Sequence, residues 1–96
     1  MMFQLSTADE ITAALGQRLR EHRLARNLQQ SELAGRAGIS ERALRNIERG
    51  GKGTFENIVR VAQALGLAGD LDSLFDLKPR SIKAMEAASI KRKRAS

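Results

Sequence analysis

The chain has 96 residues, of which 42% are hydrophobic, and its net charge of +6 arises entirely after Leu77, because residues 1–77 hold equal numbers of basic and acidic side chains. This length supports one small hydrophobic core, and the absence of cysteine excludes disulfides and thiolate metal sites. No apolar run approaches the roughly 20 residues that span a bilayer and no signal peptide is evident, which predicts a cytoplasmic protein without a membrane partner.

An N-terminal arm and one long helix are predicted first. Residues 1–6 lack a periodic pattern and are expected to form an extended arm. Thr7 and Glu10 have the spacing of a capping box, which predicts that a helix starts there and runs to about Arg26. Asn27 suits the left-handed conformation that ends a helix. Residues 7–77 are therefore predicted to form one all-α domain, since helix-forming residues dominate the composition.

A pair of short helices joined by a tight turn is predicted between Gln29 and Gly50. Gly38 separates two apolar strips with helical spacing: Leu33, Ala34 and Ala37, then Leu44 and Ile47. Gly38 can adopt the positive φ that ends a helix, Ile39 fills the corner, and Ser40 can cap the helix that follows. This pattern predicts a helix-turn-helix.

The second helix of that motif carries polar side chains on the faces that its apolar residues leave free. They are Glu41, Arg42, Arg45, Asn46 and Arg49. Such side chains can contact base edges and phosphates, which predicts a DNA-reading helix. A solvated helix face is the alternative interpretation, and it is weaker here because the residues share one side of a motif.

The remainder of the domain is predicted to contain a flexible loop and two more helices. The loop covers residues 50–53, and Thr54 is expected to cap a fourth helix that ends at Leu65. The predicted core face of that helix is Phe55, Ile58, Val59, Ala62 and Leu65. A short fifth helix is expected near Asp70. Two roles remain open for its apolar side chains: Leu71 and Leu74 close the core, or part of this strip forms a dimer contact together with Phe75.

Residues 78–96 are predicted to be a flexible basic tail. Seven basic side chains and one acidic side chain lie there, including four consecutive cations: Lys91, Arg92, Lys93 and Arg94. No cluster of potential catalytic side chains is evident. His22 is the only histidine, and it lies among charged residues on the first helix. The sequence therefore predicts neither an enzyme nor a metal or cofactor site.

From Leu15 to Leu77 the sequence resembles the Xre family of helix-turn-helix regulators, the group of the lambda and 434 repressors. The resemblance is carried by residues 15–23, 30–34, 37–40, 47–50, 54–58 and 64–66. It implies a five-helix domain that binds double-stranded DNA as a homodimer. It also implies base contacts by Glu41, Arg42 and Asn46, with Arg45 adjacent, and phosphate contacts by Gln30, Ser40, Arg49 and Lys52.

The resemblance further implies a structural ion pair between Arg23 and Glu48, which would align the reading helix without contacting bases. Two residues depart from the family pattern. Gln29 stands where serine or threonine commonly caps the second helix, and Glu41 stands where glutamine is frequent. Glu41 could accept a hydrogen bond from cytosine or could pair with Arg45 one turn later.

A looser resemblance connects residues 48–54 and 71–75 to HipB-type antitoxins. That class represses its own operon and holds a HipA-like kinase toxin, so any kinase activity would belong to the partner. Two other functions stay open at this stage: a stand-alone regulator from a phage or restriction system, and a bridging factor that binds only protein. A bridging factor would not need this set of side chains together: Arg42, Arg45, Asn46 and Arg49.

Overall fold

The computed structural model of the protein describes residues 2–77, which form five α-helices without a β-strand. A short 3-10 helix, Phe3–Leu5, precedes them. The α-helices are α1 (Ala8–Ala25), α2 (Gln30–Ala37), α3 (Glu41–Gly50), α4 (Phe55–Ala64) and α5 (Ala68–Leu71). The five-helix, all-α prediction is confirmed, and the predictions for the basic tail lie outside the described residues.

Local side-chain chemistry sets where the helices begin and end. The hydroxyls of Thr7, Ser40 and Thr54 accept backbone hydrogen bonds at 3.1, 3.0 and 3.0 Å, which caps α1, α3 and α4. Glu10 completes the predicted capping box by accepting from the Thr7 amide at 2.8 Å. Asn27 has φ 54°, as the left-handed cap requires. These predictions are confirmed because each depends on residues that are neighbours along the chain.

The N-terminal segment is not an extended arm throughout, contrary to the prediction. The amides of Leu5 and Ser6 donate to the carbonyls of Met2 and Phe3, which closes a 3-10 turn. The guanidinium carbon of Arg18 lies 5.1 Å from the centre of the Phe3 ring. This cation–π contact attaches the turn to α1.

The glycine segment after α3 starts inside the helix and packs against α1, so the loop predicted over residues 50–53 begins one residue later than predicted. Gly50 is the last residue of α3, and the buried Gly51 has φ 69°. A Cβ on Gly51 would overlap the backbone of Thr12, and a Cβ on Gly16 would overlap the carbonyl oxygen of Ile47. The backbones of α1 and α3 therefore approach too closely for any side chain at either glycine.

The core lies between α2, α3 and α4. Its fully buried large side chains are Leu33, Leu44, Ile47 and Val61. Phe55 was predicted to face the core but is 66% exposed, because it precedes the stretch of α4 on which the core packs. The exposure of Leu74 shows that it does not close the core, and α5 begins at Ala68 rather than near Asp70. None of the helices described between residues 2 and 77 could span a membrane.

Candidate nucleic-acid interface

The third helix has one buried face and one exposed polar face. Leu44, Ile47 and Glu48 are buried against the rest of the domain. Gly38, with φ 71°, turns the chain between α2 and α3, and Ser40 fixes the first turn of α3. The predicted base-reading residues all lie on the exposed face: Glu41, Arg42, Arg45 and Asn46. They are held on a regular helix whose orientation is set by its buried side.

A buried ion pair joins α1 to α3. Nε and Nη2 of Arg23 donate to the two carboxylate oxygens of Glu48 at 2.7 and 3.0 Å. Nη1 of Arg23 also donates to the carbonyl oxygen of Leu28 at 2.7 Å. Arg23 is 7% exposed and Glu48 is 3% exposed, so neither side chain can contact a base. The geometry is that of an architectural pair, in which bidentate hydrogen bonds offset the cost of burying two charges.

The first residue of α2 belongs to the same network. Nε2 of Gln30 donates to Oε1 of Glu48 at 3.1 Å, and Gln30 is half-buried. No buried side-chain nitrogen or oxygen between residues 2 and 77 lacks a hydrogen-bond partner. The network therefore connects the start of α2, predicted to lie beside a phosphate, to the middle of α3 and to α1.

The start of α2 is capped differently from the serine or threonine pattern. Gln29 precedes the helix, and its backbone amide donates to Oε1 of Glu32 at 3.1 Å. The carboxylate of Glu32 thus stabilises the end at which the helix dipole is positive. Glu32 thereby supplies the reciprocal half of a capping box at the start of α2.

Glu41 lies beside Arg45 in the structure. Oε2 of Glu41 is 3.9 Å from Nη1 of Arg45, and both side chains are about half-exposed. The sequence left two arrangements open for Glu41, a contact with cytosine and a pairing with Arg45, and the structure has the pairing with Arg45. The separation is long for an ion pair, so the exposed carboxylate and guanidinium can part at little cost when either meets another group.

Lys52 forms an ion pair with the start of α1. Its Nζ donates to Oδ1 of Asp9 at 2.7 Å, and both side chains are exposed. This hydrogen bond is the main reason that the pKa of Asp9 lies below its ordinary value. A phosphate contact by Lys52 would compete with Asp9 for the ammonium group.

Two further residues lie beside the predicted site. Gln17 and Arg20 of α1 line a groove together with four residues of α2 and α3: Gln30, Arg45, Glu48 and Arg49. Sequence reasoning missed both, although their spacing gave a signal. Arg20 precedes Arg23 by three residues and Gln17 precedes Arg20 by three, so all three lie along one side of α1.

The predicted dimer-contact residues lie at the C-terminal end of the domain. Leu71 is half-buried, whereas Leu74 is 43% exposed and Phe75 is 88% exposed. Phe75 also has φ 62°, an unusual conformation for a bulky residue. Its ring extends into solvent from a strained position.

The capped turn at Gly38 and the exposed polar face of α3 define a DNA-binding helix-turn-helix domain. A model of a helix-turn-helix family matches residues 19–71, more than half of the chain. The chain belongs to this family of lambda-repressor-like DNA-binding domains. A comparison with curated proteins gave no match. The family is one of transcriptional regulators, and double-stranded DNA is the ligand of its domain.

Proposed function

We propose that the protein regulates transcription as a homodimer bound to a palindromic operator. The observation that carries this proposal is the exposed polar face of α3, which a fully paired ion network holds on its buried side. A helix presented in this way can enter the major groove, where each base pair has a distinct pattern of donors and acceptors. The orientation of α3 is fixed before DNA arrives.

Base reading is assigned to four side chains of α3. Arg42 and Arg45 can donate two hydrogen bonds to guanine, and Asn46 can pair with the edge of adenine. Glu41 can accept from cytosine once it leaves Arg45. Phosphate contacts are assigned to four residues: Gln30, Ser40, Arg49 and Lys52. The Ser40 hydroxyl can still donate its hydrogen, because only its oxygen is used in capping α3.

Dimerisation follows from the size of the reading helix. Ten residues of α3 extend over about 15 Å, which covers too few base pairs to select one operator. A second copy would double the site, and two α3 helices about 34 Å apart would lie on the same face of B-DNA. We assign the dimer contact to the exposed apolar residues after α5, where Leu74 and Phe75 extend into solvent.

The test is to select binding sites from a pool of random duplexes and to footprint the best one with hydroxyl radicals. The proposal predicts an inverted repeat whose half-sites are centred about 10 bp apart, protected in two symmetric patches. Sedimentation of the complex should give two chains per duplex. A single asymmetric half-site protected by one chain would contradict the proposal.

We further propose that the regulator is an autorepressing antitoxin whose partner is a HipA-like kinase toxin. The support is the resemblance of residues 48–54 and 71–75 to that class. In this proposal a protein partner, and not a sensed metabolite, regulates the activity of the repressor.

The test is calorimetry of the full-length chain against its own promoter and against the product of the adjacent gene. A chain that lacks residues 81–96 serves as the comparison. We expect the truncated chain to fold, to bind DNA more weakly through the loss of cations, and to bind the toxin more weakly. Binding to the promoter without binding to the neighbouring product would favour a stand-alone regulator. Binding to protein alone would favour a bridging factor.

A further inference from the structure

A groove between α1 and α3 brings three arginines together. Its walls are Gln17 and Arg20 from α1 and Arg45 and Arg49 from α3, and Gln30 and Glu48 lie between them. The groove is open to solvent and has a volume of about 280 Å³. There is room for a tetrahedral anion and the waters around it.

The charge of this groove is strongly positive, although a carboxylate lies in it. The charge of Glu48 is already balanced by the bidentate Arg23, and Gln30 donates a further hydrogen bond to its Oε1. Between residues 2 and 77, neither Arg20 nor Arg49 forms an ion pair. Arg45 has only the exposed Glu41 at 3.9 Å.

Positive charge concentrated in this way attracts an anion. Arg20 and Arg49 line the groove without an ion-pair partner between residues 2 and 77, and a phosphate between them would neutralise part of their charge. Arginine also offers paired donors that match phosphate oxygens. The side-chain amide of Gln17 can donate from the same wall.

We infer that this groove binds one phosphodiester of the operator backbone, and that Arg20 and Gln17 of α1 are DNA contacts that position the domain on the duplex. The inference rests on the proposed function. It adds α1 to an interface otherwise formed by α2, α3 and the following loop. Because Arg23 and Glu48 join the two walls, the phosphate in the groove fixes the depth at which α3 enters the major groove.

The test compares Arg20→Gln with Arg18→Gln. Both variants lose one positive charge from α1, but residue 18 lies two positions away on the opposite side of the helix, where its guanidinium covers Phe3. Affinities are measured from 50 to 300 mM salt on the selected operator and on a scrambled duplex of equal length. Thermal unfolding checks that both variants remain folded.

The plot of log affinity against log salt has a negative slope. We expect Arg20→Gln to make that slope shallower by about 0.9, the value for one phosphate contact. Affinity should fall by roughly five- to tenfold near physiological salt on both duplexes, because a phosphate contact carries no sequence information. Arg20→Lys should keep most of the slope. Arg18→Gln should leave the slope unchanged.

Equal slopes for Arg20→Gln and Arg18→Gln would overturn the inference while leaving the proposed function intact. A further arm adds inorganic phosphate at constant ionic strength and follows the unfolding temperature. Stabilisation by phosphate that depends on Arg20, with no change in the DNA slope, would also overturn it and would assign the groove to a free anion. A wild-type chain that shows no preference for any duplex would instead contradict the proposed function.

Discussion

Proteins usually bury apolar side chains and expose charged ones. Two regions of this molecule do the opposite: the junction between α1 and α3 buries charges, and the segment after α5 exposes apolar side chains. The α1–α3 junction, formed by Gly16, Arg23, Glu48 and Gly51, buries two charges and satisfies them completely. The C-terminal strip, formed by Leu74, Phe75 and Leu77, leaves large apolar side chains in solvent. A buried charge needs its partner within the fold, whereas an exposed apolar group can obtain a partner from another molecule. The first region is therefore architectural, and the second is suited to association.

The largest expected effect is on the buried pair. Glu48→Ala leaves the Arg23 guanidinium buried without its carboxylate, which should cost about 3–5 kcal/mol of unfolding free energy. Glu41→Ala is the matched control, since it removes an exposed partner and should cost less than about 1 kcal/mol. Urea denaturation measures both. Similar losses for the two variants would show that burial does not distinguish the two pairs.

The close approach of the helices is tested by adding one methyl group. Gly16→Ala places a Cβ against the carbonyl oxygen of Ile47 and should destabilise the fold by about 1–3 kcal/mol. Gly35→Ala, on α2, meets no atom within 4 Å and should stabilise the fold by about 0.5–1 kcal/mol. Opposite signs in thermal or urea unfolding would confirm the close packing. Stabilisation by both substitutions would contradict it.

The C-terminal strip is tested through self-association. Phe75→Asn keeps a residue that tolerates the positive φ and removes the exposed ring. We expect the dimer to dissociate about tenfold more readily, a loss of about 1.4 kcal/mol, while unfolding of the monomer changes by less than about 0.5 kcal/mol. Phe55→Asn removes another exposed ring as a control. Analytical ultracentrifugation that gives equal dissociation constants for both variants would exclude the strip as the contact.

The smallest expected effect is on the pH dependence of stability, and it comes from two carboxylates at the start of α1. The Thr7 amide lowers the pKa of Glu10, and the hydrogen bond from Lys52 lowers the pKa of Asp9. Because both pKa values are lower in the folded state, the stabilisation is present at neutral pH and is lost as the pH falls below about 4. The stability difference between wild type and Glu10→Gln should therefore shrink between pH 7 and pH 3. A constant difference would contradict this origin.

Helix ends and the turn of the motif could be predicted from sequence because they depend on local chemistry. Thr7, Ser40 and Thr54 cap the helices that follow them, and Gly38 provides the turn between α2 and α3. Each of these features is decided within four residues. The family resemblance added the pairing of Arg23 with Glu48, which lie 25 residues apart.

Features that depend on how far two helices overlap were not predictable. Periodicity did not give where the contact on α4 begins, so Phe55 was wrongly placed inside. It also gave the core-facing side of α4 only in part, because the predicted stripe left out the fully buried Val61. The run of glycines after α3 suggested mobility, whereas Gly51 is needed because the backbone of Thr12 leaves no space for a side chain. The spacing of Gln17 and Arg20 places them on the side of α1 that carries Arg23, but their proximity to Arg49 exists only after α1 packs on α3.

The central claim is that the exposed face of α3 reads bases. The most direct test measures the affinity of wild type, Asn46→Ala and Lys52→Ala for the selected operator and for a scrambled duplex. Asn46→Ala should lose about 1–3 kcal/mol on the operator and little on the scrambled duplex, whereas Lys52→Ala should weaken both equally. Equal losses on both duplexes for Asn46→Ala would contradict the claim.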